Sequence, residues 1–287
     1  MAWVLLFFGL SGAQLHPKHF LWKVSDQNSQ VWVLGSIHMG SDSLYPLAPW
    51  IEKAFSGSTG LAVELNMDND STLSEVAKLM ATEGVYAKGD SLQAHISPLL
   101  FARLDSLFRE WNLPTRGMTP MRPWFLTLRI NSIDLEQSGI SAGLGVDMHF
   151  LQQAKKRNMP VFALETVRQQ IDIFKDLPDS LQETMLEWTL REQGKLDGIV
   201  DSMFAFWNTG DTLGFEKLVL SDMQNDAKFS PFYQRIYSDR NVRMASQVEQ
   251  FLQKKRKMFV VVGAAHLVGP GSVLGLLRKK GFQVEQF

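Results

Sequence analysis

The chain has 287 residues, enough to bury a full core, and its 45% hydrophobic and 21% charged content is that of an ordinary globular protein. Its 29 Lys and Arg against 30 Asp and Glu give a formal net charge of -1, which removes the electrostatic basis for a nucleic-acid partner. The absence of cysteine excludes disulfides, thiolate metal sites, a cysteine nucleophile and a lipid-modified N-terminal cysteine, and is compatible with either redox compartment.

The first element, Trp3 to Leu10, is apolar, uncharged and shorter than the ~20 residues a membrane-spanning helix needs. Ser11-Gly12-Ala13 follows with small residues where a signal peptidase reads. This predicts a secretory signal over residues 1–13 without the usual basic start, a mature domain over 14–287, and export to the periplasm or beyond. The other reading is a cytosolic protein with a hydrophobic first strand. No later stretch approaches a transmembrane length.

Phe20 to Val24 and Val31 to Leu34 flank the polar cluster Ser25 to Gln30, which predicts a hairpin leading into Gly35-Ser36-Ile37-His38. Pro46 to Phe55 reads as a helix with proline near its start, and Leu61-Ala62-Val63 as a strand ending at Glu64. Ser97-Pro98 is a helix start, with Leu99, Leu100, Leu104, Leu107 and Phe108 at helical spacing behind it. Further helices are predicted over Pro123 to Gln137, Val146 to Arg157, Pro178 to Gly194, Leu196 to Trp207 and Phe229 to Gln253, so that about 91–157 and 166–257 are mostly helical. Between them Pro160 to Leu164 reads as a strand that delivers Glu165. Lys254-Lys255-Arg256-Lys257 complements a helix carboxyl end, and Phe259 to Val262 is a buried strand leading to Gly263-Ala264-Ala265-His266. Gly269-Pro270-Gly271-Ser272 lacks the lysine of a P-loop and reads as a turn feeding a helix to Lys280, followed by a last strand at Phe282 to Val284. Strands alternating with helices at both ends predict an α/β fold with a mainly parallel sheet, flanking helices and a large helical middle section, in one domain.

The two Gly-x-x-His tetrads are the most informative feature. Each follows a strand-like run, with the glycine read as the residue that lets the backbone turn sharply. Open α/β sheets bind ligands beyond the carboxyl ends of their strands. Four polar side chains emerge at such ends: His38, Glu64, Glu165 and His266. Two imidazoles and a carboxylate are a competent set for a divalent ion with open positions, while Glu64 and Glu165 can equally be capping or salt-bridged carboxylates. No Gly-x-Ser-x-Gly elbow occurs, which argues against an α/β-hydrolase nucleophile, and Ser36 and Ser272 read as caps. Trp111, Trp124, Trp188 and Trp207 read as core, or as the lining of an apolar groove for a peptide or lipid.

In order along the chain these pieces resemble the TraB/GumN family, whose animal Tiki branch acts as metal-dependent proteases. The resemblance runs from about Leu21 to the C-terminus. Its elements are Leu34 to His38, Val63-Glu64-Leu65, Arg122-Pro123-Trp124, Gly145-Val146-Asp147, Leu164-Glu165-Thr166 with Gln169 and Gln170, Gly210-Asp211, Arg240-Asn241 and Gly263 to Leu267. It implies a fold like that of the erythromycin-esterase and ChaN proteins. It further implies His38, Glu64 and His266 as active-site residues holding a divalent metal (Mn, Co or Zn), with Glu165, Tyr233, Arg240, Asn241 and Asp147 supporting them. Arg240 reads as an anion clamp or a structural salt bridge, and Tyr233 as a proton donor or a packed ring. The function it implies is metal-dependent hydrolysis of a peptide or small ester. The alternatives are a metal-independent esterase with a histidine general base, and a non-catalytic binder of haem or another apolar ligand. N-terminal sequencing of protein from the native host is expected to begin at Gln14, and an intact Met1 or Ala2 terminus would overturn the exported reading.

Overall fold

The computed structural model describes residues 18–287. The predicted secretory signal and its predicted cleavage after Ala13 lie outside the described residues. Six strands, β1 (Leu21–Ser25), β2 (Gln30–Ser36), β3 (Gly60–Val63), β4 (Val161–Ala163), β5 (Met258–Gly263) and β6 (Gln283–Gln286), form one sheet in the order β4-β3-β5-β2-β1-β6. The Asp26 carboxylate accepts hydrogen bonds from the backbone N–H groups of Asn28 and Ser29, closing the turn that the polar cluster predicts between β1 and β2. Strands β3 and β5 are buried along their whole length, as central parallel strands covered on both faces must be.

The sheet is mixed. The β2–β5, β3–β5 and β3–β4 pairings are parallel, whereas β1 runs antiparallel to both β2 and β6. The reason is local: a short hairpin can join β1 and β2 only in antiparallel order, and the C-terminal strand then closes the free edge of β1.

Among the described residues the α-helices around it are α1 (Pro49–Ser56), α2 (Asp70–Glu83), α3 (Pro98–Glu110), α4 (Pro123–Gln137), α5 (Val146–Lys156), α6 (Val167–Lys175), α7 (Asp179–Glu192), α8 (Leu196–Thr209), α9 (Thr212–Asn225), α10 (Ser230–Tyr233), α11 (Asp239–Gln253) and α12 (Val273–Lys279). Ser97 caps α3 by accepting from Leu100 N–H, and Ser272 caps α12 by accepting from Gly275 N–H, as their sequence contexts predict. Lys254 stands at the carboxyl end of α11, so the basic run follows that helix directly. Helix α1 starts at Pro49 instead of Pro46, because a helix begun at Pro46 would place Pro49 where a backbone N–H is needed for the first turn's hydrogen bonds. Helix α2 was not legible as a periodic run, since Leu79 is its only buried residue; Asn69 starts it by accepting from Ser71 and Thr72 N–H. The predicted helix over Phe229 to Gln253 is present as α10 and α11 joined by a π-helical turn, Gln234–Ser238.

The main core lies on both faces of the sheet, from Phe20 and Leu34 to Phe259 and Leu277. A second apolar cluster, with Leu100, Leu104, Phe108, Leu126 and Leu186 among its members, holds α3, α4 and α7 together. Helix α8 packs Val200, Phe204 and Trp207 into the main core and is tied to the sheet by a buried hydrogen bond, Trp207 Nε1–H donating to the Gly35 carbonyl at 2.7 Å. Trp207→Phe keeps most of the packing but leaves that carbonyl unpaired, so it is expected to cost about 1–2 kcal/mol in urea unfolding. Leu213→Ala, at a side chain that is 76% exposed, is the comparison and is expected to stay within about 0.5 kcal/mol.

Candidate functional site

The register of the sheet brings the strand-end side chains to one place. Ser36 at the end of β2 pairs with Gly263 at the end of β5, so the two tetrads leave the sheet side by side. On the other side of β5, Val63 pairs with Val261 and with Ala163 of β4, which puts Glu64 and Glu165 at the same level. His38 Nε2 lies 3.7 Å and His266 Nε2 3.8 Å from the same oxygen, Glu64 Oε1. Gly263 occupies the middle of this group. A Cβ there would stand 3.0 Å from His38 Nε2 and 3.4 Å from Glu64 Oε1, so the glycine provides space. With φ at -51° it makes no left-handed turn, and the turning role read from the sequence is replaced by one of close approach.

Each histidine has its outer nitrogen held. Asn241 donates through Nδ2 to the Gly271 carbonyl and therefore presents Oδ1 to His266 Nδ1, at 2.6 Å. An amide oxygen only accepts, so His266 carries its proton on Nδ1 and turns a bare Nε2 toward Glu64. His38 Nδ1 lies 3.2 Å from Asp147 Oδ1. Asp147 is itself fixed at the start of α5 by Ser36, whose hydroxyl donates to Oδ1 at 2.9 Å and accepts from Asp147 N–H at 3.1 Å. Ser36 thus caps a helix remote in sequence.

Glu64 is buried and doubly anchored: Oε1 accepts from Gly263 N–H at 2.6 Å, and Oε2 accepts from Arg240 Nη2 at 2.6 Å and Gln170 Nε2 at 3.3 Å. Arg240 also reaches Glu165 through Nε and Nη2, with Nη2 to Oε2 at 2.6 Å. Of the two readings of Arg240, the buried salt bridge is the one seen. Burial alone would raise the Glu64 carboxyl, but His38, His266, Arg240 and the Gly263 N–H outweigh it and hold the group down at about 2. The histidines diverge. Burial pulls His266 down to about 4, so it is neutral; for His38 burial acts in the same direction, but Asp147 and Glu64 outweigh it and push the group up to about 9. With the His38 side chain 51% exposed, solvent screens part of that attraction.

Tyr233 is not brought to this group. Its hydroxyl accepts from Gln224 Nε2, and its ring packs on Tyr237. It is Tyr237, within the π-helical turn, whose buried ring lies 5.4 Å from that of His266. Sequence reasoning passed over Tyr237 and Gln170 as site residues. Tyr237 precedes Arg240 by three residues and Asn241 by four, the spacing that shares a helix face, and this was the available signal. The group opens on a cleft of about 550 Å³ lined by His38, Glu64 and Arg240 and by apolar side chains including Met39, Met67 and Phe174.

Some of the donors that a divalent ion would need stand together here. Two imidazoles face one carboxylate oxygen with their Nε2 atoms, and each ring has the outer hydrogen-bond partner typical of a metal-bound histidine. Arg240 bridges Glu64 and Glu165, Arg243 Nη2 stands 3.5 Å from Glu165, and Asp147 faces His38, so each of the three carboxylates already has a basic partner. Among the described residues no group of three His, Cys, Asp or Glu side chains is arranged to hold a metal ion, and Glu64 is engaged by Gly263 and Arg240.

Comparison with known proteins adds a family. A model of the TraB/PrgY/gumN family matches residues 20–286. The YbaP protein of Escherichia coli is 26% identical over 93% of this chain and 96% of its own length. The protein named metalloprotease TIKI1 of Danio rerio is 24% identical over 93% of this chain, and metalloprotease TIKI2 of Xenopus tropicalis 23% identical over 96%. The match spans 62% and 61% of those two proteins, so this chain corresponds to part of each. No solved structure matches significantly.

The opposite shifts of the two histidines predict a stability maximum in metal-free protein. Below the ordinary pKa of 6.5 the unfolded chain binds the proton that native His266 refuses until about 4, so stability falls as pH drops through that window, and Glu64 extends the loss from 4.5 toward about 2. The stabilisation from protonated His38 is complete below 6.5 and is lost as pH rises through about 9. Thermal unfolding followed by circular dichroism in chelator is expected to show the highest Tm near pH 6.5. His266→Gln should flatten the acid limb and His38→Gln the alkaline limb; unchanged limbs would overturn the assignment.

Proposed function

The chain belongs to the TraB/PrgY/gumN family, and from that membership and the site geometry we propose that it is a metal-dependent hydrolase of peptide or ester bonds. The observation that carries this reading is the convergence of two orientation-locked imidazoles on Glu64 Oε1, with His38 and Glu64 lining an apolar cleft. The metalloprotease names of the Tiki relatives point the same way. The finer relation to the erythromycin-esterase and ChaN folds, and export by the apolar leader, belong to the same reading.

His38, His266 and Glu64 would hold the ion. When bound, a divalent metal (Mn, Co or Zn) supplies a Lewis acid for the scissile carbonyl and lowers the pKa of water to about 7, so that no protein nucleophile is required. His266, neutral through burial and oriented by Asn241, offers a lone pair at neutral pH. His38 reaches the same point from the exposed side, steered by Asp147. Glu64 remains ionised far below neutral pH, which makes it a weak proton acceptor and a strong fixed charge; the reading therefore gives it ligand or electrostatic work in preference to general-base work. Arg240 keeps Glu64 and Glu165 from repelling each other, and the apolar walls exclude bulk water from the reacting bond.

A metal-free esterase is the second reading, favoured by one observation: His266 is neutral and oriented by Asn241 with a bare Nε2, the form that a histidine general base takes before reaction. Metal analysis of purified protein, together with hydrolysis of a peptide library and small esters with and without chelator, separates the two, since chelator-resistant turnover supports the esterase. Absence of turnover with a Soret band on adding haem supports the binder.

Within the proposed site, His38→Ala and His266→Ala are each expected to lower metal affinity and turnover by more than about 100-fold, because the removal of an outer partner alone costs about 10–100-fold. Asn241→Ala and Asp147→Asn fall in that smaller range. Glu64→Gln should lose both metal and activity, whereas loss of activity with metal retained would mark Glu64 as the base. Glu165→Gln, further from the histidines, is the comparison. Folded His38→Ala and His266→Ala proteins that bind metal and turn over like the parent would overturn the site.

A further inference from the structure

A second cavity, of about 190 Å³, lies beside the cleft and shares Leu65, Met67, Gln170 and Phe174 with it. Leu65 and Met67 follow Glu64 directly on leaving β3, so the chain that places the carboxylate also builds the cavity wall. Helix α2 contributes Val76 and Met80, and α4 contributes Trp124 and Leu128. Gln170 and the Trp124 indole N–H are its polar lining groups among the described residues; the Gln170 amide is already committed, donating to Glu64 Oε2 at 3.3 Å and to Glu165 Oε2 at 3.1 Å.

A charged or polar side chain entering this cavity would lose its hydration for one open partner, the unpaired Trp124 Nε1–H, whereas a large apolar one would shed its water and meet apolar walls. The two methionines supply walls that adapt to different apolar shapes. At the rim of the main cleft Leu73, also on α2, is 45% exposed and continues the apolar lining outward. We propose that this cavity is a specificity subsite that takes a large apolar side chain, such as Phe, Leu or Met, of a peptide substrate lying across Glu64. The proposal deepens the hydrolase reading and rests on it for the word substrate, but the binding it describes is measurable without turnover.

The test uses full-length protein with 13C-labelled methionine methyl groups, the Met67 and Met80 signals assigned by Met→Leu variants, in chelator so that nothing is hydrolysed. Pentapeptide amides Gly-Gly-X-Gly-Gly with X as Phe, Leu, Glu or Gly are the probes. The Phe and Leu peptides are expected to shift both methyl signals and to bind about 10-fold or more tightly than the Glu and Gly peptides. Filling the cavity with Met80→Trp, or with Val76→Phe where the former does not fold, should cancel the response. Equal shifts from all four peptides, no shift from any, or a parent-like response in the filled protein would each overturn the subsite. An inactive protein that still shows the selective shifts sinks the hydrolase reading alone, and an active one without them sinks the subsite alone.

Discussion

The site depends on one buried cation. Arg240, at the start of α11, is buried and lies 2.6 Å from both Glu64 and Glu165, which stand at the ends of neighbouring strands. Taking three charges out of water costs several kcal/mol per ion unless each is paired, and leaving one unpaired costs about 3–5 kcal/mol. That penalty fixes the first turn of α11 against the ends of β3 and β4. Since Asn241 is the next residue, fixing Arg240 also fixes the amide that holds His266, so the charge cluster and the orientation of the imidazole are one arrangement.

Space is the second constraint, and glycine supplies it in three places. Gly263 leaves room for two imidazoles and a carboxylate around a single backbone position. A Cβ at Gly35 would come within 3.0 Å of the Ala264 backbone, so the two tetrads can lie side by side only if the first begins with glycine. Gly145 lets α5 approach the first tetrad so closely that a Cβ would lie 2.3 Å from the His38 carbonyl, and Val146 N–H donates to the Ile37 carbonyl at 3.0 Å. The same approach delivers Asp147 to His38.

Two histidines from matching sequence contexts therefore end in different chemical states. His266 is buried against Tyr237 and held by a neutral amide; His38 is half-exposed and held by a carboxylate. An asymmetric pair of this kind sets one buried neutral ring beside one that carries a proton at neutral pH at the mouth of the cleft. The π-helical turn before α11 belongs to this design, since such turns are frequent at functional sites and this one carries Tyr237 toward His266.

Much of the frame was legible in the sequence because it is written in local patterns. The hairpin, the buried runs of β3 and β5, the capped starts of α3 and α12 and the emergence of His38, Glu64, Glu165 and His266 at strand ends all follow from periodicity and capping chemistry over a few residues. Helix α2 was not legible, because a helix that buries little shows no apolar stripe, and the antiparallel edge of the sheet was not, because strand order is set by which edges remain free. The sequence by itself determined which side chains reach the carboxyl ends of the strands. Only the tertiary structure decided that Arg240 is a buried bridge, that Tyr237 and Gln170 join the site while Tyr233 does not, and that the two histidines differ in charge. Those outcomes depend on burial and on distances between residues on different elements of the fold, and no local pattern encodes either quantity.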